Sequence, residues 1–401
     1  MEMTPVTADL SLMRELNQAL ILSLVRQEGQ ISRAEIAKRT HLSRSTVSNI
    51  INELIAENRI HEIEKGESRG GRRPILLELN YRARCAVGIE LGTTFVNLII
   101  TDLKAEILYQ RSESFDIAAG PECAVEQVKQ LVLQALKDGG IQHVNVAGVG
   151  IGVPGPLSFV AGMTIAPPIM LGWSGVSVRE QFSAALHLPV YVDNDANLGA
   201  LAEYHWGAAQ GIRNVAYLHL GSTGIGAGLV LNGSIYRGEI GSAGEIGHLT
   251  IDEDGPLCSC GSYGCLEAVA GVPLILRRAK AIKNDQEVAL DQLIEAAHNG
   301  DNSIRKLFIT SGTHLGVAVA SLLNLYNPGL VVLGGPLAQA GDLLLDTVRE
   351  VARKRALPIS LEHCEIVAAK LGQPAVALGA ASQIIQAVFS PSTFDTLVGQ
   401  L

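Results

Sequence analysis

The stretch CAVGIELGTTFVNLIITDL, residues 85–103, sets the architecture. Two runs dense in Val, Ile and Leu flank a glycine-containing turn, which reads as strand, turn, strand. An amphipathic helix is expected near Ala124–Lys137, followed by a strand in VAGVGIGVPG, 146–155. The opening pattern then returns. VAYLHLGSTGIGAGLVLNG, 215–233, is again strand, glycine-rich turn and strand, and LVVLGGPL, 330–337, is a strand ending in glycines. Strands alternating with helices specify an α/β fold, and two similar hairpins point to an internal duplication.

Composition agrees with this. At 401 residues the chain is long enough for about two or three domains. Its hydrophobic content is 47% but its aromatic content only 4%, which favours an aliphatic core around buried parallel strands. The longest early apolar run, ALILSLV at 19–25, is too short for a membrane span, and no signal-peptide pattern precedes it. The cytoplasm is the expected compartment, where clustered cysteines more often mean metal than disulfides.

Charge is uneven. Residues 1–84 carry 13 Lys and Arg against 11 Asp and Glu, a net charge of +2, whereas the rest carries 18 against 29, a net charge of −11. A basic end on an acidic protein hints at nucleic acid. The local sequence there sharpens the hint. LMRELNQALILSLVRQ, 12–27, has Leu12, Leu16, Leu20 and Leu24 at helical spacing, with Met13 and Ile21 alongside. Ser32 followed by Glu35 is a capping box for a short helix from Arg33 to about Arg39. After the turn Thr40–His41–Leu42, Ser43 caps a third helix with Val47, Ile50, Ile51, Leu54 and Ile55 on its inner side. This order is that of a helix-turn-helix. Arg44, Ser45, Thr46, Ser48 and Asn49 are then the outward residues at the start of the recognition helix, able to reach base edges or phosphates. Two strand-like runs, Ile60–Glu64 and Ile75–Leu79, flank a wing whose tip holds Arg69, Arg72 and Arg73, cations suited to a phosphate backbone or the minor groove.

The densest chemistry lies at 244–267, GEIGHLTIDEDGPLCSCGSYGCLE. His248, Cys258, Cys260 and Cys265 have the ligand types of a tetrahedral zinc, and four protein ligands make a closed, structural site. Glu245 and Glu267 each lie within three residues of a ligand, so a metal ion would fix both carboxylates. Upstream, VDNDANLGALAE at 192–203 places Asn194 and Asp195 where a strand gives way to a helix. In α/β sheets such ends face the ligand crevice. Asp195 could accept a hydroxyl proton there. The plainer reading is helix capping by Asp193 or Asp195.

GEIGH at 244–248 and CSCGSYGCLE at 258–267 are the most specific segments, supported by VDNDAN, GVPGP at 152–156, STGIGAG and VVLGGP. Through them the chain resembles the ROK family of repressors and sugar kinases, and in particular its repressor branch. The resemblance covers nearly the whole chain. It implies a winged helix-turn-helix over 1–80 and a two-lobed, actin-like sugar-kinase fold. The first lobe would span 85–192, joined by a C-terminal helix at 380–401, and the second 193–379. It implies structural zinc at His248, Cys258, Cys260 and Cys265, and a sugar held by Gly155, Asn194, Asp195, Glu245, His248 and Glu267. Asp195 matches the catalytic base of the family's kinases. Glu90, Gly92 and Thr93 match their first phosphate loop, Gly224 and Gly226 the second, and Gly334 and Gly335 the adenosine-side turn, the places where ATP and Mg2+ would sit.

The chain departs from the kinases at the first loop. Where they read G-I-D-x-G-G-T-K, it reads GIELGTTF, with Glu90, Thr93 and Phe95 replacing Asp, Gly and Lys. A side chain on the loop crowds a phosphate, and the lost lysine removes a cation from it. The expectation is a sugar-responsive repressor, a homodimer or tetramer bound to operator DNA. The alternative is an active ATP-dependent sugar kinase that carries a DNA-binding domain.

Overall fold

The computed structural model describes residues 10–63, 74–165, 167 and 169–389. Its N-terminal head is three helices, Leu10–Glu28, Arg33–Thr40 and Arg44–Ala56. Ser32 accepts the Glu35 N–H at 3.3 Å, and Ser43 accepts the Thr46 N–H at 3.0 Å. These are the two caps that the sequence predicts. His41 turns the chain between the second and third helices with a φ of 57°. Val47, Ile50, Ile51 and Leu54 are buried. The wing strands are Ile60–Ile63 and Leu76–Leu79, paired antiparallel, with Ile31–Ser32 as a third strand on the latter. Arg69, Arg72 and Arg73 lie outside the described residues.

The first helix differs from its expected stripe. Ile21, Leu22 and Val25 are buried, while Met13, Leu16 and Leu20 are exposed. The buried face is the one that meets both the head's own core and the helix Ala375–Phe389 of the body, whose Ile384, Ile385 and Phe389 share one apolar cluster with Ile21 and Leu22.

The body contains two five-stranded sheets of identical plan. In the first, the strand Cys85–Leu91 pairs antiparallel with Phe95–Asp102, which pairs with Ile107–Ser114; on its other side lie Val146–Val153 and then Val190–Asn194, both parallel. In the second, Val215–Leu220 pairs antiparallel with Ile225–Leu231 and this with Ser234–Tyr236; on its other side lie Leu330–Gly334 and Glu365–Ala368, both parallel. Strand for strand the topology repeats, and this actin-like fold is the duplication that the two hairpins announced.

Two helices cross between the lobes. Asp195–Trp206 follows the last strand of the first sheet but packs on the second, and a Cβ on Gly228 would stand 2.2 Å from the Ala196 carbonyl oxygen. Ala375–Phe389 follows the last strand of the second sheet but packs on the first, and a Cβ on Gly88 would stand 1.9 Å from the Ala377 carbonyl oxygen. Of the expected helix 380–401, residues 380–389 are the last ten of the helix Ala375–Phe389, and 390–401 lie outside the described residues. Asn302–Tyr326 is long and apolar enough to cross a membrane by length and composition. Its Ile304, Phe308, Leu315, Val319 and Leu323 are buried in the second lobe's core.

Candidate effector crevice and metal loop

One crevice collects the residues that the sequence singled out. Gly155, Asn194, Asp195, Glu245, His248 and Glu267 line a cavity of about 80 Å³ together with Glu90, Gly92, Thr93, Gly224 and Gly226. The floor is built by strand ends. Val190–Asn194 stops at Asn194, which caps the following helix by accepting from the Ala196 and Asn197 N–H groups at 2.9 and 3.3 Å. Asn194, not Asp193 or Asp195, is therefore the cap. Its amide nitrogen donates to the Gly155 carbonyl at 3.2 Å, and the φ of 87° at Gly155 suits glycine.

Asp195 accepts its neighbour's Ala196 N–H at 2.7 Å and faces His219, with Nε2 4.0 Å away. Burial pushes the Asp195 carboxyl up from the usual carboxylate range, against the pull of His219. Burial also raises Glu90, which accepts from the Asn97 amide at 2.8 Å across the strand pair. Glu245 is pushed up to about 7 by burial and by the neighbouring carboxylates Asp195 and Glu267. The result is a pocket rich in carboxylates with neither Lys nor Arg among its lining residues. Such a site accepts hydrogen bonds from hydroxyls and repels a polyanion.

A second cavity, of about 500 Å³, adjoins the first and shares Glu90, Phe95, His219 and Ser222 with it. Gly334 and Gly335 lie on its far wall beside Pro336, Gln339 and Gln373. Among the described residues its lining too has no Lys or Arg. Phe95 stands against the first turn: a Cβ on Gly92 would meet its ring at 2.4 Å. The phenyl group occupies the approach to the turn where a phosphate-binding loop needs open backbone.

Beside the crevice, the loop 248–265 brings His248, Cys258, Cys260 and Cys265 within 4.8 Å of one another. Cys260 Sγ and Cys265 Sγ are 3.7 Å apart, and Cys258 Sγ is 3.6 Å from His248 Nδ1. A tetrahedron with zinc–sulfur bonds near 2.3 Å has edges of roughly 3.8 Å, slightly less to nitrogen, so the spacing fits a tetrahedral ion. Left to themselves the thiols resist ionising together. Burial pushes Cys258 up to about 12 and raises Cys265, while the Ser262 N–H lowers Cys260. A divalent cation would offset that cost. His248 turns Nδ1 to the sulfurs, which leaves Nε2 for other partners. Glu267 is tied to the same loop, accepting from Ser259 Oγ at 2.8 Å and from Cys258 Sγ at 3.1 Å.

At the other end of the chain, Arg44, Ser45 and Asn49 are exposed, with Thr46 and Ser48 half-buried. Ser45 and Thr46 hydroxyls each lie 2.8 Å from the capping Ser43 hydroxyl. The recognition helix thus presents one cation and a polar N-terminal turn to solvent. Sequence reading missed His219 and Asp193. The signal for His219 was available: a histidine in an otherwise apolar strand, two residues before a glycine turn. Asp193 was weighed only as a cap.

Comparison with known proteins gives matches over both parts. Residues 86–387 match the ROK family and residues 16–61 match a winged helix-turn-helix DNA-binding family. The chain is 32% identical to the xylose repressor of Caldicellulosiruptor bescii, over 95% of this chain and 98% of that protein. Among solved structures, a ROK family transcriptional regulator, homologue of the E. coli MLC protein, superposes with a TM-score of 0.81 at 26% identity and covers 96% of this chain. A ROK family glucokinase from Streptomyces griseus, in complex with glucose and AMPPNP, superposes with a TM-score of 0.68 at 29% identity; it covers 98% of its own length but 75% of this chain.

Proposed function

The chain belongs to the ROK family, and from that premise we propose that it is a sugar-responsive transcriptional repressor acting in the cytoplasm on double-stranded operator DNA. Residues 1–80 form the DNA-binding unit, with Arg44, Ser45, Thr46, Ser48 and Asn49 on the recognition helix and Arg69, Arg72 and Arg73 on the wing. The first lobe is 85–192 with the C-terminal helix, and the second is 193–379. A monosaccharide is held by Gly155, Asn194, Asp195, Glu245, His248 and Glu267. A structural zinc on His248, Cys258, Cys260 and Cys265 fixes the last three of these. Two copies place two recognition helices on a two-fold operator.

One observation carries the reading: a DNA-binding head shares an apolar core with the helix Ala375–Phe389, which packs on the helix Asp195–Trp206 that opens at a carboxylate-lined crevice. Closure of that crevice on a sugar changes the platform on which the head stands. Relief of repression by about 100-fold needs a coupling of roughly 2.7 kcal/mol. The test is to select an operator from a randomised duplex library and titrate it with and without D-xylose, D-glucose and N-acetyl-D-glucosamine. One sugar should weaken the operator complex; an affinity indifferent to every sugar at saturating concentration sinks the reading.

The kinase alternative draws on Asp195, buried beside His219, and on the glycines 224 and 226. Against it stand the Phe95 ring over the first turn and two cavities without a cation. Sugar-dependent release of ADP from ATP, abolished by Asp195→Asn, would favour it.

A further inference from the structure

Asp193 precedes the crevice pair Asn194–Asp195 but does not line the crevice. It is 1% exposed, and five donors converge on its carboxylate. Oδ1 accepts from the Asn194 N–H at 2.8 Å and the Asn197 amide at 3.0 Å. Oδ2 accepts from Arg237 Nε at 3.1 Å, from Arg237 Nη2 at 2.6 Å and from the Gln383 amide at 3.0 Å.

These donors come from three separate parts of the fold. Asn194 and Asn197 open the helix that carries Asp195. Arg237 belongs to the second lobe, at the start of the segment that ends in Glu245 and His248, and its carbonyl accepts the Ala243 N–H at 3.1 Å. Its guanidinium also lies 3.8 Å over the Phe159 ring of the first lobe. Gln383 sits on the C-terminal helix. Six residues further, about 9 Å along the axis, the Phe389 ring stacks under Arg26 of the head at 4.6 Å. The fold sacrifices hydrogen bonds for this arrangement. Asn197 Oδ1 and Gln383 Oε1 are buried without a donor, since both amides turn their nitrogens to Asp193.

We propose that Asp193 is the positioning residue that couples the effector crevice to the DNA-binding head. A sugar that draws Glu245 and His248 toward Asn194 and Asp195 moves Arg237 against the end of the first-lobe strand. Asp193 holds Arg237 and Gln383 by the same oxygen, so this displacement reaches the C-terminal helix and through Phe389 the head. The inference rests on the repressor reading, whose failure is visible separately.

The experiment is a four-state titration: sugar affinity with and without the selected operator, and operator affinity with and without D-xylose, D-glucose or N-acetyl-D-glucosamine. Asp193→Asn and Gln383→Met are compared with the unaltered protein. Gln383→Met keeps the side-chain volume and the Arg237 pair and removes only the link to the helix. If the unaltered protein shows a sugar effect of about 100-fold, both variants should reduce it below about 5-fold while free sugar and free operator affinities stay within about 3-fold. An undiminished sugar effect in Gln383→Met overturns the proposal. If no sugar moves the unaltered protein, the repressor reading fails instead, and amide exchange of the free protein decides the coupling. Gln383→Met must then raise exchange in Leu10–Glu28 as well as in Ala375–Phe389; a change confined to the latter helix rejects it.

Discussion

In the first lobe the turn between the two leading strands, Gly92–Thr93–Thr94, is covered by the Phe95 ring; in the second lobe the equivalent turn, Gly221–Ser222–Thr223–Gly224, keeps its glycines. The two sheets share one topology, so the difference is not architectural. It lies in what packs on each hairpin. Around the second, the metal loop approaches backbone to backbone. The Ala227 N–H donates to the Gly244 carbonyl at 2.8 Å. A Cβ on Gly247 would stand 2.1 Å from the Ile225 carbonyl oxygen, and one on Gly244 1.9 Å from that of Ala227. A Cβ on Gly224 would lie 3.2 Å from Glu267 Oε2. The second hairpin and the loop that abuts it need glycine to seat the His248–Cys265 cluster against the strands, whether or not a phosphate is ever bound there. Among the described residues the first hairpin has no such neighbour, and its turn carries Thr93, Thr94 and Phe95.

The largest effect should come from the metal loop. Cys260→Ser, or chelation of the native protein, would remove the metal ion proposed to hold His248 and, through Cys258, Glu267. The expected outcome is a melting temperature lower by about 10 °C and a loss of at least about 100-fold in sugar affinity, because the loop has little core of its own. Elemental analysis before and after chelation, with calorimetry of sugar binding, checks it. A crevice that binds sugar equally well without metal would separate the second hairpin from the loop and remove the reason given for its glycines.

Next are the glycines that bring the crossed helices onto the sheets. Gly228→Ala in the second lobe meets the Ala196 carbonyl oxygen, and Gly88→Ala in the first meets that of Ala377. Each should cost about 3 kcal/mol, or some 6–10 °C in melting temperature. The effects should be similar, since the lobes are equivalent in packing where they differ in turn chemistry. Unequal melting losses would break the equivalence. The expected functional difference lies in DNA binding: Gly88→Ala disturbs the helix that the head packs on, whereas Gly228→Ala disturbs the helix carrying Asp195.

A smaller effect marks the junction between body and head. His205 is held down to about 4 by burial and by the charge of Arg26. Its folded pKa lies below its unfolded value, so the neutral ring contributes stability above pH 6.5 that is lost as pH falls toward 4. Between pH 7 and pH 5 the loss is about 2 kcal/mol. Proteolysis between head and body should accelerate over that range, and His205→Gln should flatten the response. An unchanged pH profile in that variant assigns the acid sensitivity elsewhere.

Much of this was legible in the chain. Caps at Ser32 and Ser43, the inner face Val47–Leu54 and the repeated hairpins follow from local rules of hydrogen bonding and periodicity, and they appear as read. The ligand set of the sulfur loop is legible because Cys and His at short spacing have few other uses in one loop. The crevice residues sit in three short segments, around Gly155, Asn194–Asp195 and 245–267, and the family resemblance joined them into one site. What escaped depends on distant packing. Leu16 and Leu20 follow the helical period as well as Ile21 and Val25 do, and only the docking of Ala375–Phe389 decides which face is covered. Asp193 reads as a cap because the partners that claim it, Arg237 and Gln383, lie 44 and 190 residues away.

The smallest effect returns to the two hairpins. Thr93→Gly combined with Phe95→Lys gives open backbone and a cation to the first turn, beside a cavity of about 500 Å³ whose far wall carries Gly334 and Gly335. If Phe95 and the missing cation are what close the site, the double variant should gain ATP affinity of roughly 1–5 mM, seen as a stabilisation of about 1 kcal/mol at 10 mM nucleotide. The unaltered protein should show none. Glu90 limits the gain, because its carboxyl, raised by burial and accepting from Asn97, offers a phosphate no positive charge and would ionise still less readily beside one. No thermal shift in the double variant would mean that the first lobe has changed more deeply than one turn, and that the shared topology hides a wider divergence between the halves.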